Sequence, residues 1–223
     1  MKISVCIPCY EMNGRGEEML YTSLKKLRNQ TFQDFEVIVS DDSKDAGIKS
    51  ICETFTEMSI RHYFNSRQRG SSSNLNNAIN HSNGELIKIL CQDDYLPDDG
   101  LQTVVDNFDY NKGWLVTGYT MYFEDSHQQL VHTPEWNPNI KYQNSIGTHS
   151  CLTILNDNPL MFDENLVWYM DCEYYDRLYK RYGLPVMIEK SSMIQRLWEG
   201  QVTNTLVNSN LVDREKKYLE ELK

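Results

Sequence analysis

The chain has 223 residues, enough for one substantial domain with its own hydrophobic core. It carries 32 acidic and 22 basic side chains, which gives a formal net charge of −10. Because nucleic acids and anionic membranes attract basic surfaces, this charge argues against both as general partners. No apolar run reaches membrane-spanning length, no signal peptide precedes the first predicted strand, and the six cysteines lack zinc-ribbon spacing. We therefore expect a cytoplasmic protein with buried free thiols and no membrane span.

Alternating strands and helices are predicted over about the first 95 residues. Apolar runs predict strands at 3–8, 35–40, 60–64 and 86–90, and apolar residues at helical spacing predict helices at 20–28, 48–58 and 71–79. This alternation is typical of a parallel sheet whose strands are connected through helices.

The pattern changes after Pro97. A helix is predicted at 101–108, then shorter strands at 114–118, 119–124, 129–133, 151–155 and 186–188, and a further helix at 171–182. The polar segment 134–150 is typical of a long functional loop. The last dozen residues, rich in Glu and Lys, predict a solvated helix that frays at its end.

Two adjacent carboxylates, Asp93 and Asp94, closely follow the predicted strand at 86–90. Ligands of open α/β sheets bind at the carboxyl ends of the strands, so these acids are candidates for a binding site. Neighbouring carboxylates repel each other unless a cation joins them. We expect Mg²⁺ or Mn²⁺, because these ions prefer carboxylate oxygens and often accompany phosphate. The alternative interpretation is a solvated acidic turn that leads to Pro97 and a helix.

Several short motifs, taken in order, resemble those of a known family. They are SVCIPCYE at 4–11, QTF at 30–32, FEVIVSDDS at 35–43, NNAI at 76–79, GE at 84–85, CQDD at 91–94, WYMDCEY at 168–174 and EGQVT at 199–203. In this order and spacing the chain resembles the family 2 glycosyltransferases of the GT-A fold, over about residues 1–205.

The resemblance implies a single α/β domain over 1–223 with the GT-A fold and a mixed central sheet. Within it we expect a nucleotide-binding half at 1–97, an acceptor-binding half at 98–205 and a C-terminal helix at 206–223. The implied activity is inverting sugar transfer from a nucleotide-diphosphate donor, UDP-linked by preference. The implied acceptor is the hydroxyl group of a saccharide or of another molecule.

The resemblance also assigns residues to the nucleotide. Pro8 shapes the turn after the first strand, and Glu11 belongs to the same turn. Tyr10 is expected to lie against the nucleobase, although an aromatic side chain at the edge of the core is the alternative. Either Asp41 or Asp42 accepts an N–H from the base, and the sequence does not choose between them. These acids also suit the cap of the following helix.

For the metal ion, the resemblance makes Asp94 a ligand and places Asp93 beside the ribose or the metal. This chain departs from the family at two nearby positions. Cys91 occupies the place where the first Asp of the metal motif often stands, and Trp198 occupies the place of a metal-side His in many relatives. Both departures bear on the number of metal ligands.

Three arginines are candidates for contact with the nucleotide. The Arg that often precedes the metal motif in the family is Leu75 here, so Arg67 or Arg69 is a candidate substitute for holding base or phosphate. Arg196 is expected to pair with a phosphate, because a planar guanidinium binds phosphate through two hydrogen bonds.

The resemblance places the general base at Asp171, which takes the proton of the acceptor hydroxyl. Glu173 is the rival and Asp176 a weaker one, and Asp171 also suits the role of a helix cap. His149, in the polar loop, is a minor candidate.

Two other functions remain open from the sequence. One is a nucleotidyltransferase of similar topology, for which Asn13-Gly14-Arg15-Gly16 would be the phosphate loop. The other is a protein of the same fold that binds a nucleotide or sugar without turnover.

Overall fold

The computed structural model describes residues 1–201, 204 and 210–222, and in these residues eight strands form one mixed sheet. The strands are β1 (Ile3–Cys9), β2 (Phe35–Asp41), β3 (Ile60–Phe64), β4 (Leu86–Ile89), β5 (Trp114–Phe123), β6 (Gln129–His132), β7 (Leu152–Leu155) and β8 (Val186–Leu197). Their order is β3-β2-β1-β4-β7-β5-β6, and β8 pairs with β5.

Six α-helices accompany the sheet in the described residues. They are α1 (Gly16–Arg28), α2 (Gly47–Glu53), α3 (Ser71–Asn80), α4 (Gly100–Asn107), α5 (Met170–Tyr182) and α6 (Leu211–Glu221), with short 3₁₀ turns at Met12–Gly14 and His149–Cys151. The helical spacing of apolar residues explains their packing, as in α1, where Leu20, Leu24 and Leu27 are fully buried.

The first four strands are parallel, as the alternating pattern predicts. β1 pairs with β2 on one side and β4 on the other, and β2 pairs with β3. Val37, Ile38 and Val39 are fully buried, as expected for a parallel strand that is covered on both faces. The carboxyl ends of these strands therefore meet at one edge of the sheet.

The second half differs from the prediction at two strands. The predicted strands at 114–118 and 119–124 are one strand, β5, and β8 extends from Val186 to Leu197 instead of ending at 188. The segment 189–192 (Glu-Lys-Ser-Ser) is polar, so its sequence lacks a strand pattern, and its extended conformation depends on pairing with β5. That pairing shifts register on both sides of Gly118, where an added Cβ would lie 2.3 Å from the Glu189 carbonyl oxygen.

Two helix predictions also need correction. α2 ends at Glu53, short of the predicted 58. The C-terminal helix is docked and not merely solvated, because Leu219 is fully buried and Glu215 is 3% exposed. In addition, the Tyr218 hydroxyl donates a hydrogen bond to Asp163 (2.8 Å). The six cysteines are free, as expected, and all but the half-buried Cys91 are buried.

Lys88 on β4 is a buried amine in the middle of the sheet, 1% exposed. Its Nζ donates hydrogen bonds to the carbonyl oxygens of Ser150 and Leu152. Burial lowers the pKa of Lys88 to about 8. The amine thus holds the chain just before β7 against β4, although its charge is disfavoured in this position.

We expect Lys88→Met to change how stability depends on pH. The unfolded chain keeps this amine protonated up to about its ordinary pKa of 10.5, whereas the folded chain releases the proton near 8. Between these pH values the unfolded state binds more protons, so the Lys88 contribution to the free energy of unfolding rises with pH, by up to about 3 kcal/mol. Below pH 8 that contribution is constant.

Chemical denaturation followed by circular dichroism between pH 7 and 10.5 measures this difference between wild type and Lys88→Met. Lys112→Met, at an exposed position, is the control and should leave the pH profile unchanged. A constant difference between wild type and Lys88→Met across this range would contradict the prediction.

Candidate functional site

A cavity of about 930 Å³ opens at the carboxyl edge of the parallel strands. Its lining includes Pro8 near the end of β1, Tyr10 just after β1, Asp42 after β2, and the segment 91–94 after β4. A cavity of this size accommodates a small organic ligand.

Most of the predicted site residues lie on the wall of this cavity. They are Pro8, Tyr10, Glu11, Asp42, Arg69, Asp93, Asp94 and Asp171. A second wall comes from the second half of the chain, with Tyr119, His132, Tyr142 and the segments 147–149 and 167–172. Asp41, Arg67 and Arg196, which were also predicted to contact the nucleotide, do not line the cavity. The functions of these side chains stay predictions.

The turn at Tyr10 is fixed by Gln92, which follows β4. Gln92 accepts a hydrogen bond from the Tyr10 N–H (3.0 Å) and donates one to the Gly16 carbonyl (2.7 Å). An added Cβ at Gly16 would lie 2.2 Å from the Tyr10 carbonyl oxygen, so this close approach requires glycine. The end of β1, the start of α1 and the turn after β4 are therefore held together.

Asp41 and Asp42 occupy different environments. Asp41 is 1% exposed; its Oδ2 lies 2.8 Å from His62 Nε2, and its Oδ1 accepts from the Ser43 N–H. Asp42 lines the cavity and accepts hydrogen bonds from Asn65 (2.7 Å) and from the Gly70 N–H (3.0 Å). Of the two acids that the sequence left open, Asp42 is the one positioned to meet a ligand.

Arg196, predicted to contact a phosphate, lies outside the cavity wall and is engaged with protein groups. This arginine is 6% exposed, and its guanidinium contacts the Asp93 carbonyl (3.1 Å), Glu18 (3.3 Å) and Glu124 (3.5 Å). Two carboxylates already match the charge of the Arg196 guanidinium. Its remaining contact, with the Asp93 carbonyl, supports the main chain beneath the acid pair. Its Nη2 has no hydrogen-bond partner in the described residues.

Arg15, from the possible phosphate loop, is also engaged with carboxylates. Its guanidinium donates hydrogen bonds to Glu124 (2.8 Å) and Glu18 (3.2 Å), and it does not line the cavity. Gln201 of the predicted EGQVT motif does line the cavity and donates a hydrogen bond to the Arg196 carbonyl. Val202 and Thr203 of that motif lie outside the described residues.

A thiol, that of Cys91, lies close to the acid pair at 93–94. Ligand atoms of Cys91, Asp93 and Asp94 lie within 4.8 Å of one another. Asp94 is 2% exposed, and burial together with the nearby charge of Asp93 raises its pKa to about 8. The Arg196 N–H donates to Asp94 (3.2 Å), and the Trp198 indole N–H donates to Asp93 (3.0 Å).

These three side chains fit a divalent cation. Oxygen ligands of Mg²⁺ or Mn²⁺ lie about 2 Å from the ion, which places ligand atoms at separations comparable to those of this cluster. A cation would also offset the repulsion that raises the pKa of Asp94. The Cys91 sulfur is a softer donor than the two carboxylates.

Asp171 lies on the second wall, in the first turn of α5. Its Oδ1 lies 2.6 Å from His149 Nδ1, and His149 Nε2 lies 3.0 Å from Cys91 Sγ. Burial alone would lower the pKa of His149, but contacts with Cys91 and Asp171 outweigh it and raise that pKa well above the usual value. In the described residues Asp171 Oδ2 has no hydrogen-bond partner, so one oxygen of this carboxylate stays available to a ligand.

The rival acids on α5 are already paired. Glu173 is 6% exposed and bound by Arg177, with 2.7 Å between Oε2 and Nη2. Asp176 pairs with Lys180 (2.7 Å). Neither acid lines the cavity, which leaves Asp171 as the carboxylate of this helix that reaches it.

A comparison with known families decides what the chain belongs to. The model described as "Glycosyl transferase family 2" matches residues 4–196, which is most of the chain. The chain belongs to glycosyl transferase family 2.

Two curated proteins are similar to part of this family 2 chain. The GalNAc(5)-diNAcBac-PP-undecaprenol beta-1,3-glucosyltransferase of Campylobacter jejuni is 30% identical over 107 residues, 47% of this chain and 33% of that protein. Glycosyltransferase GlyA of Streptococcus pneumoniae is 28% identical over 104 residues, 46% of this chain and 14% of that protein. The aligned region thus spans a third or less of each relative.

Solved structures share the fold of this family 2 chain. Residues 1–349 of TarS from S. aureus, in complex with UDP-GlcNAc, superpose with a TM-score of 0.71 at 20% identity, covering 94% of this chain and 62% of that one. The mannosyltransferase PcManGT of Pyrobaculum calidifontis, in complex with GDP-Man and Mn²⁺, gives 0.63 at 18% identity, covering 87% and 56%. The expected GT-A fold with a mixed central sheet is confirmed.

Among the described residues, no helix has the length and apolar character needed to span a bilayer.

Glu215 on α6 of this family 2 chain holds part of the cavity wall, a role that was not predicted from the sequence. Its carboxylate accepts three main-chain hydrogen bonds, from the N–H groups of Val167 (2.8 Å), Trp168 (2.9 Å) and Tyr169 (3.0 Å). These residues line the cavity and lead directly into α5 and Asp171. A lone Glu in a charged helix gives no sequence signal for such a contact.

We expect Glu215→Gln to loosen this wall of the cavity. The amide group has one acceptor oxygen in place of two and puts an N–H₂ where a main-chain N–H needs an acceptor, so the free energy of unfolding should fall by about 1 to 3 kcal/mol. Hydrogen exchange at Val167, Trp168 and Tyr169 should become faster.

Denaturant unfolding and hydrogen–deuterium exchange read by mass spectrometry make both measurements. Glu220→Gln, at an exposed position of the same helix, removes the same charge and serves as the control. Equal behaviour of the two variants would rule out the anchoring role of Glu215.

Proposed function

We propose that this chain is an inverting glycosyltransferase that moves a sugar from a nucleotide-diphosphate donor, UDP-linked by preference, to a hydroxyl group of a saccharide or similar acceptor. One observation carries the proposal: an acid pair that includes buried Asp94, and an acid with one unpaired oxygen among the described residues, Asp171, line the same cavity. Transfer by a single displacement needs a leaving group held on one side and a base on the other. The UDP-GlcNAc complex named for TarS supports the choice of donor class.

The donor is proposed to occupy the wall formed by the parallel strands. The nucleoside lies against Tyr10, between Pro8 at the end of β1 and Glu11 in the turn that follows, and Asp42 accepts an N–H from the base. Arg69 is the one Lys or Arg side chain among the described lining residues, and it is exposed. Its guanidinium has no partner among the residues that the structure describes, and a guanidinium suits the diphosphate.

Asp94 and Asp93 would hold a divalent ion, Mn²⁺ or Mg²⁺, with the Cys91 thiol next to them. When bound, such an ion supplies positive charge that offsets the charge of the diphosphate leaving group. The Mn²⁺ named with the PcManGT complex supports this part of the proposal.

Asp171 is proposed as the general base. Its Oδ2 accepts the proton of the acceptor hydroxyl while the hydroxyl oxygen attacks the anomeric carbon. The bond between that carbon and the diphosphate oxygen breaks, and its electron pair leaves with the nucleoside diphosphate. Attack from the face opposite the leaving group inverts the anomeric configuration.

The acceptor is proposed to bind among aromatic side chains of the second half. Tyr119, Trp168 and Tyr169 line the cavity on the side of Asp171. Aromatic rings of this kind stack on sugar rings and donate hydrogen bonds at their edges. Trp114, another aromatic residue of this half, is fully buried in the core.

Incubation of the chain with UDP-, GDP-, CDP- and dTDP-sugars, with Mn²⁺ and a panel of saccharide acceptors, tests the activity. We expect release of nucleoside diphosphate, whereas release of pyrophosphate would indicate a nucleotidyltransferase. Asp171→Asn should lower kcat by about 10²- to 10⁴-fold, because the amide cannot take the proton. Asp176→Asn, on the same helix, is the control. Unchanged transfer by Asp171→Asn would contradict the assignment of Asp171 as the general base.

Metal binding is tested by the thermal midpoint of unfolding. Mn²⁺ should raise the midpoint of the wild type, because an ion that binds the folded state stabilises it by mass action. Asp94→Asn should remove most of this increase, and Asp98→Asn, an exposed carboxylate a few residues away, should retain it. An equal increase in all three proteins would show that Mn²⁺ binds elsewhere.

A further inference from the structure

His149 lies between the two walls of the cavity and contacts both. Its Nδ1 is 2.6 Å from Asp171 Oδ1, and its Nε2 is 3.0 Å from Cys91 Sγ. The His149 side chain is 12% exposed, and its ring meets the edge of Phe162 with 6.2 Å between centroids. With both ring nitrogens engaged, the imidazole has one orientation.

The main chain that carries His149 is itself anchored to β4. His149 begins the 3₁₀ turn His149–Cys151, which Thr148 caps by accepting a hydrogen bond from the Ser150 N–H. The Ser150 hydroxyl accepts from the Cys91 N–H (2.9 Å), and the Ser150 carbonyl accepts from buried Lys88. The imidazole is thus fixed from its backbone as well as from its two nitrogens.

We propose that His149 is the positioning residue of the general base, which rests on the proposed function of Asp171. The Nδ1–H group holds Oδ1 of Asp171 and leaves Oδ2 to the acceptor hydroxyl. Cys91 contacts the other ring nitrogen, Nε2. The position of the base therefore depends on the turn that carries Cys91 and the acid pair. A carboxylate without this support would rotate about its side-chain bonds and lose its alignment with the acceptor.

Two variants separate the two contacts of the imidazole. The amide nitrogen of Asn occupies nearly the place of Nδ1, so His149→Asn keeps a donor for Asp171. The longer Gln places its amide nearer to the former Nε2, so His149→Gln keeps the contact with Cys91 and removes the donor to Asp171. His127→Asn, at an exposed histidine, is the control for the substitution itself.

The kinetic experiment measures kcat, the KM of donor and acceptor, and the thermal midpoint for each variant. We expect His149→Gln and His149→Ala to lower kcat by about 100-fold, as a base displaced by about 1 Å does, while the donor KM stays near the wild-type value. His149→Asn should recover most of kcat. On the Asp171→Asn background, His149→Ala should cause no further loss, because both residues act at one step.

Unchanged kcat in the Ala and Gln variants would overturn the proposal. Equal losses in the Asn and Gln variants, in proportion to a lower thermal midpoint, would overturn it too and leave His149 a structural role. A hydrogen-bond measurement keeps the inference separate from the activity: the His149 Nδ1–H proton should give a downfield NMR signal that Asp171→Ala removes. If the wild type transfers no sugar, the proposed function fails, and the absence of this signal would overturn the His149 contact independently.

Discussion

Asp94 is a carboxylate that the fold buries beside a second carboxylate, and much of the surrounding structure holds that pair in place. Removing a charged group from water is unfavourable by several kcal/mol unless partners compensate. Here the compensation is partial, with a main-chain N–H from Arg196 on Asp94 and an indole N–H from Trp198 on Asp93. The Arg196 guanidinium beneath them is balanced by Glu18 and Glu124. A divalent cation would stabilise the ionised form of both acids, so the same contacts would also serve the metal site proposed above.

The change of strand direction in the middle of the sheet brings the two walls of the cavity together. β4 is parallel to β1 but antiparallel to β7, so the turn that enters β7 lies beside the turn that leaves β4. This arrangement places His149 next to Cys91. The mixed sheet is therefore more than a family trait, because a fully parallel arrangement would carry the chain that precedes β7 to the opposite edge.

The sequence predicts well the features that local patterns encode. Apolar runs that end in acids located β2 and β4. Both strands pair in parallel with β1, which puts Asp42, Asp93 and Asp94 at one edge as expected. The polar segment of β8 carries no strand pattern, because pairing with β5 determines it. The contacts of His149 with Cys91, 58 residues away, and of Glu215 with Val167, 48 residues away, depend on side-chain packing that no spacing rule describes. For the same reason the sequence could not show that Arg196 is already matched by carboxylates.

The contact between Glu215 and the main chain at 167–169 has a consequence for synthesis of the protein. Translation proceeds from the amino terminus. The described residues that line the cavity therefore leave the ribosome before α6 does. Until then three N–H groups beside α5 lack the carboxylate of Glu215, and this part of the cavity wall is unfinished. The parallel strands can assemble early, whereas the wall that carries Asp171 is completed only when α6 has emerged and docked.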